Sequence, residues 1–169
     1  MNWTELLTAR ANATYHATEG LLALCDNSML GWKPATGSNW MTTGQLLAHI
    51  PTACGLCCAG FVTGEWPIPE GASMEDMLPT AEKMPTVKSV AAAKKALAAD
   101  KKLALAMIAK AGEKNLGTKK VAAPWDPTEH LLGVQILGMI GHLANHKAQL
   151  FYYLKLQGKP VHTGHLYGM

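Results

Sequence analysis

The fold is decided by residues 126–157, which read DPTEHLLGVQILGMIGHLANHKAQLFYYLKLQ. Apolar residues recur three and four positions apart through this stretch, which is the spacing of one face of an α-helix. The start looks like a helix N-terminus, with Asp126 as N-cap, Pro127 at the first helical position and Glu129 at the third. Gly158 follows directly and is typical of a helix end. We therefore predict one long helix over the whole stretch.

Two histidines of this predicted helix, His142 and His146, are four residues apart and share one helical face. Such a pair can chelate a divalent metal if a neighbouring helix supplies a third ligand. His49, in a second apolar helix, is the candidate for that ligand. The alternative is that the pair is packed or solvated without a metal, because this spacing also arises by chance.

The apolar stripe of the long helix leaves both histidines on its flank, beside Gln149 and Tyr153. His49 likewise lies on the flank of its own helix, one turn after Gln45. We therefore expect the three histidines to meet in a partly open groove and to bind a metal with water completing its shell. Gln45, Gln149 and Tyr153 are suitable partners for that water or for the histidine N–H groups. Three further histidines are reserve ligands: His130, His162 and His165.

Length and composition limit the other possibilities. A chain of 169 residues can form one domain with a core, so we expect a single domain over residues 1–169. The net charge is only +3, and the lysines within residues 94–120 have no aromatic residues between them. This favours a solvated helix face over a nucleic-acid surface. No signal peptide is visible, and the apolar run at residues 136–143 is too short to span a membrane, so we expect a cytoplasmic protein.

Three of the four cysteines lie close together, at Cys54, Cys57 and Cys58. A C-x-x-C pattern can indicate redox chemistry or a zinc site. However, the chain has no second cysteine pair, and on a helix these residues fall on the same side as Ile50 and Phe61. The pattern therefore favours buried thiols that act as small apolar side chains.

Four long helical patterns and no convincing strand indicate an all-α four-helix bundle. Pro51 interrupts the second pattern and predicts a kink just after His49. The segment at residues 62–86 is rich in proline and is too long for a plain bundle connection, so we expect a crossover that packs over one end of the bundle, with a short turn at residues 74–78. The predicted helices cover residues 2–25, 42–61, 87–111 and 126–157.

Two segments resemble the DinB-like (DinB/YfiT) family. Residues 31–50, GWKPATGSNWMTTGQLLAHI, carry W-x-P, a Ser–Asn–Trp turn and a helix with L-x-x-H. Residues 141–161, GHLANHKAQLFYYLKLQGKPV, carry H-x-x-x-H, a following glutamine and Y-L-x-x-x-G. The resemblance covers the whole chain in order and length, although these motifs cover only the two segments. Pro51, directly after His49 and Ile50, departs from the family pattern.

The resemblance implies a four-helix bundle with a long crossover between helices two and three, often as a dimer. It also implies a divalent metal on His49, His142 and His146. Zinc or nickel suits this ligand set best, and iron is an alternative. Relatives in the wider superfamily include thiol-dependent S-transferases and a maleylpyruvate isomerase that uses a low-molecular-weight thiol, whereas many members have no assigned activity.

Two functions remain open at this stage. In the first, the metal lowers the pKa of a bound water or thiol, and the protein is a thiol S-transferase or a hydrolase acting on a small molecule. A carboxylate base would then have to come from the crossover, with these candidates: Glu65, Glu70, Glu75 and Asp76. In the second, the protein is a non-catalytic metal-binding module of a stress response.

The last helix also carries a second apolar stripe, opposite its core face. Its residues alternate three and four positions apart and several are small, which is typical of a helix-pairing seam. We expect a homodimer through this seam, unless other helices or the crossover cover it. The seam comprises Val134, Leu137, Gly141, Ala144, Ala148 and Phe151.

Overall fold

A computed structural model describes residues 2–68, 71, 73 and 79–169. It confirms an all-α bundle, whose helices are α1 (Trp3–Ala23), α2 (Thr43–His49), α3 (Gly55–Thr63), α4 (Val90–Thr118), α5 (Leu132–Leu156) and the short α6 (Thr163–Tyr167). These helices form four arms: α1 is the first, α2 and α3 together are the second, α4 is the third and α5 is the fourth. A long crossover joins the second and third arms. The first and second arms each pack against both the third and the fourth.

The predicted start of the last long helix is wrong, and so is the expectation of no strand. Residues Asp126–Leu131 form strand β2, which pairs antiparallel with strand β1, Lys120–Ala123. The Asp126 side chain does bond to a nearby backbone N–H, but it does so in a local turn and not at a helix start: its Oδ1 accepts the N–H of Thr128 at 2.9 Å. Aspartate makes this local bond in turns as readily as at helix starts, so the sequence signal is ambiguous. The helix begins only at Leu132, the first buried residue after the hairpin.

The third arm, α4, runs seven residues beyond its predicted end at Ala111 and reaches Thr118. Gly112 breaks it with a φ of +68°, a left-handed conformation that glycine adopts at little cost. The break brings Glu113 to the start of α1, where its carboxylate accepts the N–H groups of Trp3 at 3.0 Å and Thr4 at 2.9 Å. These bonds lower the pKa of Glu113 and join two arms of the bundle.

The second arm is broken after His49, as Pro51 predicts. A single 3₁₀ turn, Ile50–Thr52, separates α2 from α3. The new helix start is capped from another arm: the Asp100 carboxylate of α4 accepts the N–H groups of Gly55 at 3.1 Å and Leu56 at 3.0 Å. A β-carbon at Gly55 would lie 2.2 Å from the Asp100 carbonyl oxygen, so this approach requires glycine.

Tyr15 of α1 completes this arrangement, which we call the Asp100 cap. Its hydroxyl donates to the Asp100 carboxylate at 2.5 Å, and both residues are buried. Burial raises the pKa of Asp100 although three hydrogen bonds favour its charged form. The Asp100 cap therefore ties α1, α3 and α4 together inside the core.

The cysteines lie beside the Asp100 cap. Cys54 and Cys58 are fully buried, as predicted, and Cys57 is half-buried. Burial raises the pKa of Cys57 to about 12, and a hydrogen bond with Cys54 is the main cause of a raised pKa at Cys58. Protonated, buried thiols of this kind are poor nucleophiles and pack as apolar side chains.

The second arm is the one described stretch that is long and apolar enough to cross a membrane. It spans Thr43–Thr63, and 56% of its most apolar window is buried within the protein. Its buried leucine, isoleucine, cysteine and phenylalanine side chains belong to one continuous cluster that takes side chains from all four arms. Its composition is therefore accounted for by its place in the core.

The fourth arm, α5, turns one apolar side into the core and leaves another exposed. Leu132, Ile136, Leu143 and Leu150 are buried. Phe151 is also buried, at 4% exposure, so its assignment to the outward seam was wrong. Its position on the helix faces the core side, whereas the exposed Tyr152 continues the seam.

The crossover between α3 and α4 is described only in part, and the turn predicted at residues 74–78 lies outside the described residues. At its start, the Trp66 ring packs against Phe61, with ring centroids 4.9 Å apart, and against Trp125, at 5.4 Å. At its end, a 3₁₀ turn, Ala81–Lys83, lies against α2. There Nε2 of Gln45 donates to the carbonyl oxygens of Ala81 at 2.7 Å and Met84 at 3.0 Å.

Candidate metal centre

Three histidines from two arms of the bundle meet with their Nε2 atoms together. His49 is the last residue of α2, and His142 and His146 lie one turn apart on α5. The Nε2 atom of His146 is 2.8 Å from that of His142 and 3.1 Å from that of His49. We call this group the histidine centre. Among the described residues, it is the one group of three histidine, cysteine or acidic side chains close enough to share a metal ion.

The spacing of these nitrogen atoms fits a shared ion. Two nitrogens bound tetrahedrally to zinc at about 2.0–2.1 Å lie about 3.3 Å apart. The two shortest separations in the histidine centre are close to this value. Nitrogen lone pairs at such distances repel each other unless a proton or a cation lies between them. The donor set is also the one that imidazole-binding divalent metals prefer.

All three histidines are held in the neutral form that binds metals. Burial lowers the pKa of each ring below its usual value. The effect is largest at His49, where burial and the two neighbouring histidines lower the pKa to about 4. At neutral pH no proton therefore has to leave before a cation binds.

A chain of hydrogen bonds fixes which nitrogen of His146 carries the proton. The carbonyl oxygen of Met41 can only accept, so the Tyr153 hydroxyl donates to it, at 2.9 Å. Tyr153 in turn accepts from Nε2 of Gln149 at 3.3 Å, which leaves the Gln149 oxygen 3.1 Å from Nδ1 of His146. Nδ1 must then be the donor, and the Nε2 lone pair of His146 faces the other two histidines.

His49 reaches the histidine centre although Pro51 breaks the second arm directly after it. His49 is the last residue of α2, and its Nε2 atom lies 3.1 Å from that of His146. Pro51 departs from the family pattern, but it does not divert His49 from the group.

The histidine centre opens into a cleft of about 340 Å³, a size that suits a small molecule. Its other walls come from the loop before α2 and from the end of the crossover. No charged side chain is among the described lining residues. Besides the three histidines they are Asn39, Met41, Pro79, Ala81 and Met84.

The polar residues predicted around the site have different positions. Gln149 and Tyr153 lie beside His146, as the helical spacing indicates. Gln45 has its partners elsewhere: its oxygen accepts the N–H of Thr42 at 2.7 Å, and its nitrogen holds the crossover. Asn39 was missed by the sequence analysis, because its place in the cleft depends on a loop conformation that has no helical periodicity.

The remaining candidates lie apart from the histidine centre. His130 is exposed on β2, and the His162 and His165 rings cap the short helix α6. Glu65 is exposed just after α3 and does not line the cleft. The other three proposed bases, Glu70, Glu75 and Asp76, lie outside the described residues.

Comparison with known proteins adds a family and a fold. The sequence profile of the DinB superfamily matches residues 10–150. The fold is similar to the crystal structure of a DinB-like protein, YjoA, from Bacillus subtilis, with a TM-score of 0.65 and 16% sequence identity. The match covers 92% of this chain and 94% of that one. No curated protein matches the sequence.

Proposed function

This chain belongs to the DinB superfamily, and from that premise we propose that it is a metal-dependent enzyme whose histidine centre activates a small thiol or water for transfer or hydrolysis. The observation that carries the proposal is the convergence of three neutral Nε2 atoms on a cleft of small-molecule size. The family alone does not carry it, because family membership does not establish a reaction.

The side chains that would hold the ion are His49, His142 and His146, and zinc or nickel suits three imidazoles best, with iron as an alternative. A divalent ion held in this way lowers the pKa of a ligand such as water or a thiol and provides a nucleophile near neutral pH. The described cleft walls hold no carboxylate, so nothing there offsets the charge of a bound cation. This favours an anionic ligand, such as a thiolate, over a cationic one.

In thiol transfer the chemical balance is simple. The thiol proton passes to solvent, because the described cleft walls offer no carboxylate base. The thiolate sulfur then forms a bond to an electrophilic carbon, and the leaving group departs with the bonding electron pair. The role of the Gln149–Tyr153 chain is to keep His146 in one orientation and one tautomer during this process.

A second candidate function is a metal-binding module of a stress response without turnover. The observation in its favour is that the three ligands come from two arms, so an ion would cross-link α2 to α5. Turnover, rather than thermal stability, distinguishes the two functions, because an ion of either kind that binds only the folded protein raises its melting temperature. Metal-loaded protein that shows no turnover in the screen below would favour the structural role.

The primary test is the metal content of purified variants loaded under metal-replete conditions. We expect one ion per chain in the wild type and in the matched control His130→Ala, and none in His146→Ala. A variant lacking all three histidines that still holds one tightly bound ion would contradict the proposed site.

The enzymatic function is tested by screening metal-loaded protein with thiol–electrophile pairs and with esters and amides. Turnover that persists unchanged in His142→Ala would reject the enzymatic function.

We also propose a homodimer formed through the outward face of α5. Gly138 and Gly141 have open space beside them, which allows a second helix to approach closely. Apart from Lys155, the exposed residues of α5 carry no charge, so a charged partner would find little to pair with and a second copy of the same face fits better. The uncharged exposed residues are Val134, Leu137, Gly138, Gly141, Asn145, Tyr152 and Leu156.

The dimer is tested by sedimentation of wild-type protein and of a Leu137→Glu, Gly141→Glu double variant. Both positions are exposed, so the variant is expected to fold as a monomer. Ala106→Glu, an exposed position on α4, is the matched control and should remain dimeric. Wild-type protein that sediments as a monomer at tens of micromolar would contradict the proposal.

A further inference from the structure

Asn39 has an unusual backbone conformation at the edge of the cleft. Its φ is +58°, and within residues 2–68, 71, 73 and 79–169 no other non-glycine residue has a positive φ. Asparagine tolerates this left-handed conformation better than most residues, but it is still uncommon outside turns and functional sites. Asn39 shares the cleft with the histidine centre.

The loop around Asn39 is held from several sides. The Trp40 ring packs edge-on against Tyr153, with ring centroids 6.4 Å apart, and its indole N–H donates to the Thr36 carbonyl at 2.7 Å. On the opposite side of the cleft, Oδ1 of Asn39 accepts the N–H of Ala81 at 2.8 Å. The side chain therefore has a defined orientation, because only its oxygen can accept from a backbone N–H.

The amide nitrogen of Asn39 has no such partner. With Oδ1 committed to Ala81, Nδ2 still has two hydrogens to donate, and no described residue accepts from it. Asn39 is exposed, so in the free protein these hydrogens face solvent. The neighbouring walls offer little to bind them, since Met41, Pro79 and Met84 are apolar there. An acceptor atom of a molecule bound beside the three converging histidines can take the place of that solvent.

We propose that Asn39 is a substrate-positioning residue whose Nδ2 donates to an acceptor oxygen of the molecule bound at the histidine centre. This inference rests on the proposed function, because it assumes a metal on the three histidines. The substrate class that fits is a small molecule with an apolar body and a carbonyl or carboxylate oxygen close to its metal-binding sulfur or oxygen. The apolar body would contact the two methionines and Pro79, and the oxygen would bind Asn39.

The test compares two small thiols on full-length protein loaded with Co²⁺, whose visible spectrum changes when a ligand enters its coordination shell. Mercaptoacetate has a thiol and a carboxylate oxygen, whereas ethanethiol has the thiol alone. We expect wild-type protein to bind mercaptoacetate about tenfold or more tightly than ethanethiol, the effect of one hydrogen bond to a charged group. Equal affinities in the wild type would overturn the role of Asn39.

Two variants separate this role from a structural one. Asn39→Asp keeps an acceptor for Ala81 and tolerates the backbone conformation, but it cannot donate, and its added negative charge would itself repel a carboxylate. Asn39→Gly keeps the backbone conformation and removes the side chain without adding charge, so it is the decisive variant. We expect both to lose the preference for mercaptoacetate while ethanethiol affinity stays within about threefold, since a single unaffected ligand bond still anchors it.

The outcomes are distinguishable. If the carboxylate binds only the ion, Asn39→Gly will keep the preference, and the role of Asn39 will be overturned while the metal site stands. If both thiols weaken equally, the residue acts on the shape of the cleft and the proposal is again wrong. Wild-type protein that holds no cobalt would overturn the metal site itself, and the positioning role with it.

Discussion

Two polar groups lie on either side of the break at Pro51, and they use their hydrogen-bonding capacity in opposite ways. In the Asp100 cap, the carboxylate accepts from Tyr15, Gly55 and Leu56, so each donor meets an acceptor. In the histidine centre, nitrogen faces nitrogen at 2.8 and 3.1 Å, and the group opens into a cleft. A saturated buried cluster stabilises the fold, whereas converging lone pairs beside a cleft are suited to bind a ligand.

The contrast shows why burial alone does not identify a functional site. Burial raises the pKa of Asp100 and lowers the pKa of His49, so both groups are displaced toward their neutral forms. What differs is the partner. Asp100 has three donors within the protein, while the Nε2 atoms of the three histidines face one another.

The largest expected effect is on the free energy of unfolding, and it tests the role of the Asp100 cap. Asp100→Ala leaves the buried Tyr15 hydroxyl, the buried Gly55 N–H and the partly buried Leu56 N–H without acceptors, which should lower the free energy of unfolding by about 3–5 kcal/mol. Urea unfolding of metal-free protein measures it. Asp100→Asn, which keeps one acceptor oxygen, should cost less. The folded fraction of either variant should still bind one metal ion, and a loss below about 1 kcal/mol in Asp100→Ala would contradict the role assigned to the cap.

A smaller effect is expected at the histidine centre, where a substitution should change the metal affinity more than the folding stability. Gln149→Leu removes the acceptor that orients His146 and should weaken metal binding about 10- to 100-fold. Competition with a chelator of known affinity measures the change. Gln135→Leu is the matched control, because Gln135 lies on the same helix but donates to the carbonyl of Val121. Equal affinities in the two variants would show that the hydrogen-bond chain does not support the site.

A third effect concerns pH. Because the folded pKa of His49 is about 4 and the unfolded value is about 6.5, only the unfolded chain takes up this proton as the pH falls from 6.5. The stability of metal-free protein should therefore be full above pH 6.5 and decline toward pH 4. His142 and His146, whose pKa values are also lowered, act in the same direction.

Unfolding in urea at pH 7.5 and pH 5 tests this decline. Asp100 has the opposite sign, because its raised pKa favours the folded state at low pH, so it cannot produce the loss. A variant with all three histidines replaced by alanine should show little decline over this interval, while His130→Ala should behave like the wild type. Identical stability of the wild type at both pH values would contradict the neutral, buried state of the histidines.

Only part of the histidine centre could be predicted from local information. A spacing of four fixes His142 and His146 on one face. His49 lies 97 residues from His146, and it was chosen because it flanks its own helix and because the family resemblance implies the same three ligands. The sequence was misleading at Asp126, where the same residue types serve a turn or a helix start. It also gave no sign of the Asp100 cap, because an aspartate in an alanine- and lysine-rich helix looks like a solvated residue. Its partners lie 44 to 85 residues away in the chain.

The anchoring of the crossover by Gln45 has a consequence for how this protein can change over evolutionary time. Gln45 holds Ala81 and Met84 by their carbonyl oxygens, which every amino acid has, while these residues also form part of the cleft wall. Substitutions at either position can therefore reshape the cleft without loosening its attachment or touching a histidine. Under the proposed function, selectivity and chemistry would be carried by separate parts of the chain, so a lineage could acquire new substrates while it keeps the same three histidines.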